Sequence, residues 1–150
     1  MNREQLLAFM RRERYATQAS ASLDGSPQAA TVGCAVSDRF ELIFDTLAPS
    51  RKMANLRVNP KVAFVLGTQN AEQTVQYEGI ADEPSGAELD GLLAFYYARF
   101  PDGPERRSWP GLTYVRVTPV WIRYSDFATD PPEIVEFRPA DLYSSSSAAP

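Results

Sequence analysis

Short stretches of alternating apolar and polar residues, separated by turn-forming residues, run through most of the chain and predict antiparallel strands with helices at their edges. Asn2 and Gln5 form a capping arrangement for a first helix whose Leu6, Leu7 and Met10 face inward, ending near Arg11, Arg12 and Glu13. A strand over 15–22, a turn at Asp24-Gly25-Ser26-Pro27 and a strand over 28–36 read as a hairpin. A third strand over 40–46 is broken by Leu47, Ala48 and Pro49, and a short helix follows Ser50 until Asn59-Pro60 stops it. Residues 61–66 and 74–81 give a fourth and a fifth strand. Ser85 with Glu88 predicts a capping box for the longest helix, whose Leu89, Leu92, Leu93, Tyr96 and Phe100 recur at helical spacing and read as core. A loop carrying Pro101, Pro104 and Pro110 leads to a last strand over 112–124, bent at Pro119.

Strands this closely spaced, with no helix between the early ones, favour a small closed or nearly closed antiparallel barrel over a parallel α/β sheet. The expected fold is mainly β with peripheral helices, in one domain over 1–126. Residues 127–150 read as an extended arm, from Asp130-Pro131-Pro132 onward, available to pack on a neighbour and ending in a disordered Ser-rich stretch at 144–147.

Composition narrows the function classes. At 150 residues and 44% hydrophobic content the chain can bury one core, and a net charge of -4 argues against a nucleic-acid surface. No apolar run reaches membrane-spanning length and the N-terminus lacks a signal peptide's apolar centre, so a cytoplasmic protein that engages no membrane is expected. A single cysteine excludes an internal disulfide and a cysteine-cluster metal site, and Cys34, within a predicted strand, reads as a buried thiol. The chain has no histidine. That removes Ser-His-Asp and Cys-His hydrolysis, histidine-ligated heme and the usual zinc or iron sites, so no metal is expected. Chemistry supplied by an organic cofactor fits better.

Ser50-Arg51-Lys52 carries the clearest local signal. Ser50 is a good N-cap, which puts Arg51 and Lys52 in the first helical turn, where the positive end of the macrodipole disfavours each cation by up to about 1 kcal/mol. A bound phosphate reverses that sign, because the free N–H groups, the Ser50 hydroxyl and both cations then face negative charge. A solvated basic turn is the other account of the same residues.

Taken in order, the Asp24 hairpin, the strand closing on Asp45-Thr46, Ser50-Arg51-Lys52, Asn55-Leu56, Asn59-Pro60-Lys61-Val62-Ala63 and Val75-Gln76-Tyr77-Glu78-Gly79 resemble the pyridoxamine 5'-phosphate oxidase-like, FMN-binding split-barrel family. Val115-Arg116-Val117-Thr118-Pro119, Trp121 and Tyr124-Ser125-Asp126 look like that family's final strand. The resemblance implies a six-stranded antiparallel split β-barrel, a homodimer and FMN held at the subunit interface. It further implies that Arg51 and Lys52 grip the FMN phosphate, with Ser50 capping it and Asp45 and Thr46 contributing from the strand end. Thr31, Val32, Gly33 and Cys34 would run beside the isoalloxazine ring through backbone contacts, and Gln73 or Thr74 would approach from the fifth strand. Catalytic residues are not indicated.

The chain also departs from the family. Ala30 and Ala35 stand near places where true pyridoxamine phosphate oxidases carry basic residues, and the family's C-terminal arginine and histidine signature is missing. The resemblance therefore implies an FMN-dependent oxidoreductase acting on a small organic substrate other than a B6 vitamer. The alternatives are a deazaflavin-dependent reductase of the same barrel, or a binding or stress-related protein that holds a flavin without turnover. Trp109 and Trp121 read first as packing, and Asp102, Glu105, Arg106 and Arg107 as solvated loop charge.

Overall fold

Helix α1 (Arg3–Arg12) begins where its cap predicts: the Asn2 side chain accepts from the Gln5 N–H at 2.9 Å, and the Gln5 side chain accepts from the Asn2 N–H at 2.8 Å. Leu6, Phe9 and Met10 are buried, while Leu7 lies at the margin of the core. This computed structural model describes residues 1–67 and 72–143. The Ser-rich stretch at 144–147, expected to be a disordered end, lies outside them.

Eight strands follow in one antiparallel sheet. They are β1 (Tyr15–Ala21), β2 (Pro27–Gly33), β3 (Ala35–Val36), β4 (Leu42–Leu47), β5 (Lys61–Leu66), β6 (Gln73–Asp82), β7 (Leu112–Asp126) and β8 (Glu133–Phe137). Helix α2 (Arg51–Val58) lies between β4 and β5, α3 (Gly86–Arg99) and α4 (Gly103–Arg106) between β6 and β7, and α5 (Pro139–Tyr143) follows β8. The hydrogen-bonded order is β2-β1-β5-β6-β7-β4-β3, with β8 beside β7. The two ends of that path, β2 and β3, are successive pieces of one stretch of chain, so the sheet curls round and closes through Cys34 instead of through a continuous ladder. This is a mainly β split barrel.

The predicted strand over 28–36 breaks at Cys34, whose N–H donates to the Arg14 carbonyl at 3.1 Å, and the chain passes from β1 to β4, pairing Ala35 with Ile43. That break and β8 raise the expected six strands to eight without changing the class. Strand β7 carries a bulge beside Pro119: Glu78 pairs with Trp121 and the next residue, Gly79, with Pro119, leaving Val120 as the extra residue. A side chain at Gly79 would put its Cβ 2.6 Å from the Thr118 carbonyl oxygen, so only glycine fits.

Two apolar clusters hold these layers. The barrel interior packs Phe40, Phe44, Phe64, Leu66 and Tyr77, with the Phe64 ring edge-on to Phe44 and Tyr77. A second cluster joins Leu92, Leu93 and Tyr96 of α3, and Phe100 at its C-terminal cap, to Ala35, Ile43 and Tyr114 on the outer face of β3, β4 and β7. Ser85 caps α3 by position but makes no side-chain hydrogen bond, and Glu88 lies 3.4 Å from Arg116, whose charge competes with a backbone N–H. Residues 133–143, expected as part of an extended arm, fold onto this chain's own sheet: β8 pairs with β7, and Phe137 and Leu142 are buried.

Candidate functional site

The end of β4 and the start of α2 meet side chain to side chain. Thr46 Oγ1 lies 3.3 Å from Ser50 Oγ, which accepts from the Met53 N–H at 3.4 Å, so Ser50 is the N-cap that the sequence predicts. Met53 and Leu56 anchor α2 in the core. Asn55, itself buried, donates to Ser20 Oγ at 3.1 Å and Gln28 Oε1 at 3.3 Å, which pins the helix across β1 and β2. Arg51 is exposed and Lys52 half-buried, and neither side chain has an ion-pair or hydrogen-bond partner among the described residues. Two unpaired cations thus sit on a fixed helix start beside two hydroxyls. That donor set suits a phosphate.

Asp45 is oriented differently. Successive strand residues point to opposite faces, so Asp45 faces α3 and α4 while Thr46 faces α2. Arg106 Nε donates to Asp45 Oδ2 at 3.0 Å, and both side chains are only 18% exposed. The same guanidinium contacts Asp102 and donates to the Tyr96 hydroxyl at 3.3 Å. Burial works against the Arg106 charge, but hydrogen bonds with Asp45 and Tyr96 outweigh it and hold the guanidinium above its ordinary pKa. Burial and the nearby Asp45 push the Tyr96 hydroxyl upward. The sequence reading of Arg106 as solvated loop charge is therefore corrected: it is a partly buried member of an ion-pair network, joined to a residue 61 positions away by no local pattern.

Along β2, Val32 and the adjoining Cys34 are buried in the barrel interior, Thr31 is exposed and Gly33 is half-buried. A Cβ at Gly33 would lie 2.7 Å from the Phe100 ring, so the end of α3 rests directly on this backbone. Burial pushes the Cys34 thiol up to about 12, which makes it an inert core group. Since Ala35 pairs with Ile43, the preceding residues 31–34 run toward Asp45 and Thr46. Strand β2 ends the sheet, and its outer edge turns main-chain groups away from β1. This stretch can contribute backbone and the Thr31 side chain.

Gln73 and Thr74 do not join the others within the chain. Thr46 pairs with Thr113 and Gln73 with Asp126, at opposite ends of β7, a contour of roughly 40 Å at about 3.3 Å per residue. The Gln73 amide donates to Asp126 Oδ2 at 2.8 Å and holds that carboxyl below its usual range. Trp121 donates to Glu136 Oε2 at 3.2 Å, tying β7 to β8, while Trp109 is exposed.

Fold and site together define an antiparallel split barrel with a basic, unpaired helix start beside its closing strand. The chain belongs to the pyridoxamine 5'-phosphate oxidase family, whose model matches residues 3–126. It is 33% identical over 91 residues to a pyridoxine/pyridoxamine 5'-phosphate oxidase of Rubrobacter xylanophilus, a match covering 61% of this chain and 40% of the relative. The matched segment is thus less than half the length of that relative. Among solved structures, a heme-binding protein from Mycobacterium smegmatis superposes with a TM-score of 0.81 at 13% identity, over 93% of this chain and 59% of that one. A pyridoxamine 5'-phosphate oxidase-related, FMN-binding protein from Nostoc punctiforme gives 0.67 at 14% identity, over 91% and 86%. These structural likenesses are of fold. Among the described residues no helix is long and apolar enough to cross a membrane.

Proposed function

We propose that this chain is a cytoplasmic FMN-binding flavoprotein, an oxidoreductase acting on a small organic substrate other than pyridoxamine phosphate. The observation that carries this reading is the unpaired Arg51 and Lys52 on the Ser50-capped start of α2, with the Thr46 hydroxyl alongside. Free cations at the unfavourable end of a helix dipole are what a phosphate-bearing ligand would reward. Bound FMN would accept and donate hydride, while the chain would hold its phosphate at α2 and its ring against the backbone of 31–34.

Family membership and the FMN-binding neighbour support the flavin over heme. The heme-binding neighbour shares the fold, but histidine ligation is closed to a chain that has none. Against B6 oxidation stand Ala30 and Ala35, near the places where true pyridoxamine phosphate oxidases carry basic residues; Ala35 is buried in the apolar cluster under α3. The same lack of second-strand cations favours the deazaflavin coenzyme as the second reading.

The cofactor would lie between two copies of the chain. Gln73 and Thr74 could reach an FMN at α2 only from a second molecule, and the outer face of β1, β5 and β6 offers for that contact a largely apolar hollow lined by Ala19, Ala21, Ala63 and Ile80, with Lys61 and Glu78 beside them.

Titration with FMN, followed by flavin fluorescence, tests this function. Stoichiometric binding is expected, and Arg51→Ala combined with Lys52→Ala should weaken it by about a hundredfold, two charge-assisted contacts of roughly 1.5 kcal/mol each, with the circular dichroism spectrum unchanged. Full affinity in the folded double variant would remove the phosphate from α2. Binding of a deazaflavin coenzyme but not of FMN would select the second reading.

A further inference from the structure

We propose that the outer face of β1 and β2 carries a carboxylate-binding subsite, anchored by Arg14 and adjoining the segment assigned to the flavin ring, and that the substrate is an organic monocarboxylate. The inference rests on the flavoprotein reading above and adds to it the chemical class of the substrate and the residue that would select it.

The subsite is a hollow of about 260 Å³ at the start of β1, with Arg12, Glu13, Arg14, Thr17 and Thr31 in its lining. Thr17 pairs with Thr31 across the ladder, and directly opposed residues show their side chains on one face. Ala16 and Val32 are buried in the barrel interior, so both hydroxyls stand on the outer face, the face on which Phe100 rests at Gly33. A ligand in the hollow that touches Thr31 therefore adjoins whatever lies along the backbone of 31–34.

Arg14 is brought to this wall by its neighbours. Its carbonyl accepts from the Cys34 N–H at 3.1 Å, and its guanidinium carbon lies 4.9 Å from the centre of the Phe100 ring and 5.8 Å from that of Tyr15. Two aromatic rings thus hold the side chain without occupying its N–H donors. Glu13 lies between Arg12 and Arg14 in sequence and lines the same hollow, yet none of the three forms an ion pair among the described residues. A planar guanidinium seated in this way, with its donors free, matches a carboxylate through two parallel hydrogen bonds. Arg99 donates to the Arg12 carbonyl at 2.6 Å, which ties down the turn into β1, and lines the neighbouring hollow instead.

Charge separates a carboxylate from a phosphate. Two cations and one carboxylate line the hollow, a net single positive charge, and Glu13 opposes a dianion more strongly than a monoanion. A solvated basic surface would use the same arginines but would not tell a carboxylate from a neutral amide of the same shape.

Isothermal titration calorimetry with benzoate, benzamide and phenyl phosphate as probes, on FMN-saturated protein and again without added FMN, tests the subsite. Wild type should bind benzoate about tenfold more tightly than benzamide, and more tightly than phenyl phosphate. Arg14→Gln should lose about tenfold in benzoate affinity while its FMN affinity, read from flavin fluorescence, stays within about twofold of wild type, and Glu13→Gln should bind phenyl phosphate about threefold more tightly. The absence of saturable benzoate binding, equal binding of benzamide, tighter binding of phenyl phosphate by wild type, or unchanged benzoate affinity in Arg14→Gln would each overturn the proposal. Should Arg14→Gln fail to fold, Arg14→Lys carries the test: it keeps the charge and removes the fork, so about a threefold loss for benzoate is expected, and full affinity overturns the assignment. A wild type that binds benzoate through Arg14 but takes up no FMN would instead defeat the flavoprotein reading, a separate failure.

Discussion

The Tyr77 hydroxyl lies 3.0 Å from the Phe40 carbonyl and 2.8 Å from the Val117 carbonyl, in a side chain only 1% exposed. Phe40 needs that support, because it turns the chain into β4 at a φ of 61°, a left-handed conformation that an aromatic residue rarely adopts. Tyr77→Phe keeps the ring in the core and deletes only the hydroxyl, so it should cost about 1–3 kcal/mol in urea unfolding. An unchanged midpoint would mean that neither carbonyl depends on it. Residues whose partners lie within one turn were readable from sequence, as the Asn2–Gln5 box and the Ser50 cap show. The alternation around Phe40 predicts strand there, whereas the hydroxyl that stabilises its turn lies 37 positions away. Arg106 escaped for the same reason. Its neighbours Asp102 and Glu105 make it look like ordinary loop charge, and only the packing of α4 brings it to Asp45. Ser85 and Glu88 have the spacing of a capping box, yet Arg116, on another element, draws on the Glu88 carboxylate.

Strand β7 organises the elements, pairing with β4 through its first half, with β6 from Arg116 onward and with β8 over Ile122 to Asp126. Alternation in the sequence located β1, β4, β5, β6 and β7, because half-buried strands must alternate. It could not give their order, which depends on which edges meet. Strand β8 was hidden by Pro131-Pro132 just before it, although Ile134 and Val135 are good strand formers. Its role is to cover β7 and deliver α5, whose Leu142 is fully buried and whose Leu142 carbonyl accepts from Arg3 Nε at 2.7 Å. The two ends of the described chain are thus joined through one side chain. Leu142→Ala should destabilise the protein by about 2–4 kcal/mol, the usual cost of a cavity in a packed core, measured by thermal or urea melts. A loss below about 0.5 kcal/mol, typical of surface substitutions, would show that α5 is dispensable to the barrel.

At the scale of the whole molecule, the residues proposed to hold the cofactor fall into two groups that one chain does not bring together. Ser50, Arg51 and Lys52 lie at one end of β7 and Gln73 with Thr74 at the other, so a cofactor touching both sets needs two chains related by a twofold axis. The face that could join them is unusual for an exposed sheet. Ala19, Ala63 and Glu78 stand in register across β1, β5 and β6, with Ile80 and Val120 each 40% exposed nearby. Small side chains there let a second sheet approach closely, and apolar ones reward the burial. Ala63→Glu sets a charge beside Glu78 on that face. In an isolated chain it would be a tolerated outer substitution, whereas in a dimer it buries like charges against a partner. Light scattering should find the wild type dimeric and Ala63→Glu monomeric, with FMN affinity reduced by about tenfold or more, roughly 1.4 kcal/mol, because the second half-site departs with the partner. A wild-type monomer that binds FMN stoichiometrically would place Gln73 and Thr74 outside the cofactor site and leave the β4–α2 junction to hold it alone.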